Sequence, residues 1–207
     1  MILNETELKI LAAFFPEGIE RTTKEIENRS GYSHERAYST LKALEKKGIL
    51  LKKKVGKTLV FSIRKFDDVV YLSFAFYSIN RKNNFIKRYP YIWNALDEFL
   101  NKTKPDLAVL FGSYSKGEAK EKSDVDVLCV NSDPDTEKIA LSLRHKYNLR
   151  IAPIIITKED FKNIKTENPE LWNELVEFGI ILKGQELFYD LVYDWHQSLL
   201  KKQRIIL

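Results

Sequence analysis

Two carboxylates set two residues apart are the chain's clearest chemical signal. In Ser123-Asp124-Val125-Asp126-Val127-Leu128-Cys129-Val130, an apolar run follows the acids, so the segment reads as a strand. Asp124 and Asp126 then point to one face while Val125 and Val127 point to the other. Like charges held side by side repel each other unless a cation lies between them. Oxygen ligands of this kind suit Mg2+, one ion or two. Upstream, Leu107-Ala108-Val109-Leu110-Phe111 has the make-up of a buried strand and leads straight into Gly112-Ser113-Tyr114-Ser115-Lys116-Gly117, a loop able to open a helix. Gly112 lets a phosphate come close to the backbone, and the first amides of a following helix attract an anion.

The order strand, Gly112-Ser113, Gly117, a helix-length spacing, then Ser123-Asp124 and Asp126 resembles the motif of the DNA polymerase beta-like nucleotidyltransferases, in particular the minimal ones of archaea and bacteria. The resemblance covers roughly residues 91–189 and includes a closing Gly179-Ile-Ile-Leu-Lys-Gly-Gln-Glu-Leu-Phe188. It implies that a nucleoside triphosphate, ATP by expectation, binds with Gly112 and Ser113 on its phosphates. Lys116 and Ser123 join the nucleotide contacts. Asp124 and Asp126 are the expected catalytic residues and hold the metal. An acceptor hydroxyl then attacks the α-phosphorus and pyrophosphate leaves. Minimal nucleotidyltransferases pair with small helical toxin-like proteins and adenylylate them, so a protein acceptor and an antitoxin-like role follow from the same resemblance. One element departs from the pattern. The family carries a third acid on a later strand, here Asn148-Leu-Arg-Ile-Ala-Pro-Ile-Ile-Ile-Thr157, where Ala152 or Pro153 takes its place and no Asp or Glu occurs. A second function therefore stands beside the first: a transcription regulator whose nucleotidyltransferase fold binds nucleotide, or mediates assembly, without turnover.

The elements that position this motif are a mixed α/β set with a small mixed sheet. Ile92, Ala95, Leu96, Phe99 and Leu100 keep helical spacing ahead of the first strand. Thr136 to Lys146 reads as a helix, Thr157 and Asp160 cap another, and Asn168-Pro169 starts a third with Trp172, Leu175 and Val176 on its apolar side. Tyr189 to Lys202 reads as a last helix. The expected division is 1–65, a helical linker over 66–90, and a nucleotidyltransferase domain over 91–207. Within the linker, Phe66 to Asn80 is aromatic-rich and apolar on several sides, which suits burial between domains or a homodimer contact, and Arg81-Lys-Asn-Asn84 is a polar break.

The first third has a different character. Residues 1–65 hold 14 Lys or Arg against 8 Asp or Glu, a surplus of six; the whole chain carries +5, so the remainder carries −1. That asymmetry favours a polyanionic partner for this segment. Leu8, Leu11, Ala12 and Phe15 mark a helix over 5–15 that Pro16 and Gly18 end. Thr22 and Glu25 form a capping box for a second helix to about Arg29, broken by Gly31. Ser33 caps a third helix that continues to Lys47 and stops at Gly48. Ala37, Leu41 and Leu44 share its inner face. Arg36, Ser39, Lys42 and Lys46 lie on or beside the outer one, where a recognition helix meets the major groove. Two β-prone runs then flank Val55-Gly56-Lys57, with Lys52, Lys53, Lys54 and Lys57 near the hairpin tip as phosphate contacts. This order resembles the winged-helix regulators of archaea and bacteria over roughly residues 3–65 and implies DNA binding.

Other classes are set aside on composition. The single Cys129 forms no internal disulfide and points to a reducing compartment. The start, Met1-Ile-Leu-Asn-Glu-Thr-Glu, has no basic n-region, and Val69 to Ile79 is far short of the ~20 apolar residues a membrane span needs. The expectation is a cytoplasmic protein with no membrane partner. His34, His145 and His196 show no metal-ligand spacing.

Overall fold

Asn4 starts the first helix by accepting the Glu7 amide, while the Glu7 carboxylate accepts the Asn4 amide, so the capping is reciprocal. In the computed structural model, which describes residues 3–15 and 20–193, this helix, α1, runs Glu5–Ala12 rather than to Phe15. Ala13, Phe14 and Phe15 bond to carbonyls three residues back, which tightens the turn and keeps all three buried. Pro16 and Gly18 lie outside the described residues. A two-residue strand, β1 (Arg21–Thr22), was not foreseen; it pairs antiparallel with residues Val60 and Phe61. Next come α2 (Thr23–Ser30), with the expected Thr22–Glu25 capping box and Gly31 in the left-handed region, and α3 (His34–Lys46). Strands β2 (Leu50–Val55) and β3 (Thr58–Ile63) form the expected hairpin, with Val55 opposite Thr58 across Gly56-Lys57. Ala37, Leu41 and Leu44 turn inward as their spacing requires and pack with Ile10, Leu11, Ile26, Leu50 and Phe61. Burial of each Leu, Ile or Phe side chain among them stabilises the unit by roughly 1.5–3 kcal/mol.

The chain divides into two compact units between Tyr77 and Ser78, inside α4 (Asp68–Arg88). The polar break expected at Arg81–Asn84 does not occur. Arg81 donates to the carbonyls of Phe178 and Gly179, and Lys82 donates to that of Leu182, so the polar run has partners and stays helical. The break comes instead at Tyr89, because Pro90 at the start of α5 (Pro90–Thr103) disfavours the helical conformation in the residue before it.

The second unit continues with β4 (Leu107–Phe111), the short α6 (Gly112–Lys116), β5 (Val125–Val130), α7 (Thr136–Tyr147) and β6 (Ile151–Ile156). Then follow α8 (Lys158–Glu167), α9 (Pro169–Asn173), a π-helical turn (Glu174–Phe178), β7 (Ile180–Lys183) and α10 (Gln185–Tyr193). The last helix thus begins earlier than Tyr189; its expected continuation to Lys202, with His196, lies outside the described residues. The sheet order is β6-β5-β4-β7, with β5 and β6 parallel and the other pairs antiparallel, which makes it a small mixed sheet. On one face Ala108, Leu110, Val125, Val127 and Cys129 pack against Leu96 and Phe99 of α5 and Ala140 and Leu143 of α7. Strand alternation puts Asp126 on the opposite face, with Leu128 and Val130. The fold class is the expected one: helices with small sheets in a mixed α/β arrangement. Among the described residues no helix is long and apolar enough to cross a membrane.

Candidate active site

The β4–β5 ladder brings the motif together. Phe111, the last residue of β4, stands opposite Asp126, so Gly112 begins directly beside that carboxylate. Gly112 has φ +72°, a region where a side chain is strained, and its backbone lies against Asp126: a Cβ there would sit 3.2 Å from Asp126 Cγ and overlap Oδ2. Ser113 follows in α6, and its hydroxyl has no protein partner among the described residues. Asp124 precedes β5 and is half-buried, like Asp126.

The two acids stand in different electrostatic positions. Asp124 Oδ2 accepts from Arg150 Nη1 at 2.8 Å. Asp126 accepts no hydrogen bond among the described residues, and its carboxyl titrates above the usual carboxylate range. Loss of solvation is the main cause, followed by the negative charges of Asp124 and Glu174, with Arg150 pulling the other way. A desolvated, unbonded carboxylate beside two further acids is a position that a cation relieves. The residues therefore fit a divalent ion held by Asp124 and Asp126. Among the described residues no cluster of three or more His, Cys, Asp or Glu could hold a metal. Water and phosphate oxygens would complete the shell, as Mg2+ commonly accepts.

Lys116 pairs with Glu174 at 2.5 Å, which raises the pKa of its ammonium. Ser123 Oγ accepts the Lys120 amide and closes the turn before β5. Ala152 lies directly opposite Asp126 on β6, so that strand brings no carboxylate to the pair. Arg150 and Glu174 escaped the sequence reading. The parallel register continues Val125–Ile151 back to Asp124 and Arg150, with the Val125 amide donating to the Arg150 carbonyl. Knowing that β5 and β6 pair in this way would have revealed Arg150. Nothing local marks Glu174.

In the first unit the lysines differ in their freedom. Lys52 pairs with Glu45 and Lys53 with Glu20, whereas Lys54, Lys57 and Lys46 have no partner among the described residues. Arg36 donates to Thr6 Oγ1 and its guanidinium lies over the Tyr32 ring, Lys42 lies over Tyr38, and Ser39 bonds the Arg36 carbonyl.

A mixed sheet with Gly112-Ser113 set against a two-carboxylate strand defines a nucleotidyltransferase. The chain belongs to that family: the profile of "Polymerase beta, Nucleotidyltransferase" matches residues 94–186. Over 128 residues it is 31% identical to "Putative protein adenylyltransferase MJ1305" of Methanocaldococcus jannaschii, a match covering 55% of this chain and 82% of the relative. Over 64 residues it is 42% identical to "Putative protein adenylyltransferase MJ0141" of the same organism, covering 28% of this chain and 65% of that relative. A solved structure titled "Crystal structure of the toxin-antitoxin with AMP-PNP" aligns at 22% identity with a TM-score of 0.36, over 55% of this chain and 93% of the other.

Proposed function

We propose that the protein transfers a nucleoside monophosphate from a nucleoside triphosphate, ATP, to the hydroxyl of a protein acceptor, with Mg2+ held by Asp124 and Asp126. The observation that carries this reading is the contact between the Gly112 backbone and the half-buried, unbonded Asp126 carboxylate. Both relatives named above carry the name protein adenylyltransferase, which supports ATP and a protein acceptor. Gly112 leaves room for the Asp126 carboxylate, and the free Ser113 hydroxyl donates to a phosphate oxygen. Lys116, neutralised by Glu174, acts mainly by holding that wall of the site in place. When bound, Mg2+ offsets the charge of the phosphate oxygens and of the attacking and leaving groups. The acceptor hydroxyl oxygen forms a bond to the α-phosphorus and gives up its proton to solvent, while the bond from the α-phosphorus to the α–β bridging oxygen breaks to release pyrophosphate. A small helical toxin-like protein is the proposed acceptor, which makes this chain antitoxin-like. Incubation with α-labelled ATP, Mg2+ and such a protein should label the acceptor. Label that persists in Asp124→Ala or Asp126→Ala refutes the assignment.

The ion pair between Arg150 and Asp124, together with Ala152 opposite Asp126, favours a second reading: nucleotide binding without transfer, in a regulator of transcription. Nucleotide binding with no labelled acceptor would select it. In either reading, residues 1–65 act as a winged helix that attaches the protein to DNA and 91–207 as the nucleotidyltransferase domain, joined by the helical linker 66–90. The unpartnered Lys54 and Lys57 support this, with Lys52 and Lys53 contributing less because acids already hold them. Arg36, Ser39, Lys42 and Lys46 would meet the groove. Replacing all four hairpin lysines by Ala should weaken binding at low salt and lower the slope of log K against log salt by about 0.9 for each phosphate no longer neutralised. An unchanged slope removes the hairpin from the interface.

A further inference from the structure

At the β6 edge of the sheet, α7 and β6 enclose an open cavity of about 250 Å3 that includes Arg144, Arg150, Glu137, Leu141, Ala152 and Pro153, and Arg150 connects it to the acid pair. Arg150 faces two ways: it lines this cavity, and its guanidinium holds Asp124 Oδ2 at 2.8 Å. Arg144 is exposed and has no partner among the described residues. We propose that Arg150 is a gate on Asp124, and that the cavity receives an acidic side chain flanking the acceptor hydroxyl of a protein substrate. The proposal rests on the function proposed above and names its acceptor class.

A cation and a guanidinium compete for the same Asp124 carboxylate. A second carboxylate entering the cavity gives Arg150 another partner, with Arg144 beside it for a further charged hydrogen bond. Solvent reaches both ends of the Arg150–Asp124 pair, with 60% and 39% of the side chains exposed, so exchanging partners costs little. Asp124 is then freed for the cation at the moment an acceptor is in place. Linkage requires the converse as well: a bound cation, by occupying Asp124, releases Arg150 and tightens acceptor binding. The cavity suits a peptide better than a nucleic acid. Its lining is partly apolar, with Leu141, Ala152 and Pro153, and Glu137 would repel a run of phosphates.

Mn2+ binding to the full chain tests this without requiring catalysis. Calorimetric titration should show Mn2+ bound roughly twofold to fivefold tighter when the peptide Glu-Glu-Tyr-Glu-Glu is present, the range expected for release of one exposed ion pair. Arg150→Ala, and Arg150→Gln as a gentler variant, should bind Mn2+ tighter by a similar factor without peptide and gain nothing from it. Arg144→Ala should bind Mn2+ like the wild type and lose most of the peptide effect. The gate is overturned if the Arg150 variants match the wild type in Mn2+ affinity or keep the peptide enhancement. The acceptor class is overturned if a Lys-Lys-Tyr-Lys-Lys peptide or a thymidine oligonucleotide tightens Mn2+ and the acidic peptide does not. In both cases loss of Mn2+ binding in Asp126→Asn leaves the site itself standing. Mn2+ affinity unchanged in Asp126→Asn overturns the proposed function and this inference together.

Discussion

Gly112→Ala separates geometry from stability. The residue has φ +72°, so a methyl group costs roughly 1–2 kcal/mol in backbone strain alone. The same methyl would overlap Asp126 Oδ2 and crowd Cγ at 3.2 Å, so the carboxylate must swing away. Because Asp126 accepts no hydrogen bond among the described residues, that movement adds little to the folding cost. The expected loss is therefore about 1–2 kcal/mol, or a fall in Tm of roughly 2–8 °C. The functional cost is far larger, since displacing a reacting or metal-holding group by about 1 Å lowers a rate on the order of 100-fold. Gly31→Ala is the internal control: it has φ +70° and no atom within 4 Å of the added methyl. It should show a comparable stability loss in its own unit with Mn2+ binding and transfer intact. Thermal melts by circular dichroism, Mn2+ titration and label transfer on both variants supply the comparison. Wild-type Mn2+ affinity in Gly112→Ala would refute the argument that this glycine exists to admit Asp126.

Three further outcomes follow from the charged and buried groups. The folded pKa of Asp126 is raised, so the cation-free protein should lose stability as pH rises from the ordinary carboxylate value through the folded one. Asp126→Asn should then be more stable at neutral pH, by about 1 kcal/mol or less at a site still open to solvent screening, and should gain nothing at about pH 3, which urea melts at the two pH values will compare. Glu98 behaves in the opposite sense. Lys146, Lys102 and Tyr147 hold it below its ordinary value of 4.5, at about 2, so its contribution is present above 4.5 and fades as pH falls toward 2. Glu98→Gln should flatten that acid limb in denaturation curves taken across the range. Cys129 is buried and its thiol is pushed up to about 12, so a thiol reagent should modify it only at the rate of unfolding, as absorbance with and without denaturant would reveal.

Much of the fold was legible where the signal is local. The Thr22–Glu25 and Thr157–Asp160 boxes start helices because each carboxylate and hydroxyl satisfies amides within the same turn. The inner face of α3 followed from 3.6-residue spacing, and the hairpin from a glycine between β-prone runs. Errors arose where a distant partner decides. Arg81 and Lys82 look like a break until carbonyls about a hundred residues later accept their protons. β1 has two residues, too few for any period, and exists because Phe61 and Val60 of β3 offer it a ladder. α1 stops early because buried Phe14 and Phe15 continue in a tighter turn, which apolar spacing cannot distinguish from a further α-turn.

The site divides along the same line, and the division has a chemical meaning. Gly112, Ser113, Asp124 and Asp126 were visible because one hairpin-like ladder carries them all. The residues that set their charge balance come from elsewhere: Arg150 through a parallel register, Glu174 from a π-helical turn. Together these leave one carboxylate uncompensated, since Arg150 neutralises Asp124 and Lys116 neutralises Glu174. Only Asp126 faces like charge without a partner, and it is the acid against which Gly112 leaves room. In the proposed reaction a cation arriving with a triphosphate would gain most at Asp126 and would have to displace a guanidinium to gain at Asp124. The order of engagement, Asp126 first and Asp124 second, follows from that asymmetry. Arg150→Ala should narrow it, because Asp124 loses its cationic partner while Asp126 keeps its loss of solvation and the neighbouring charge of Glu174.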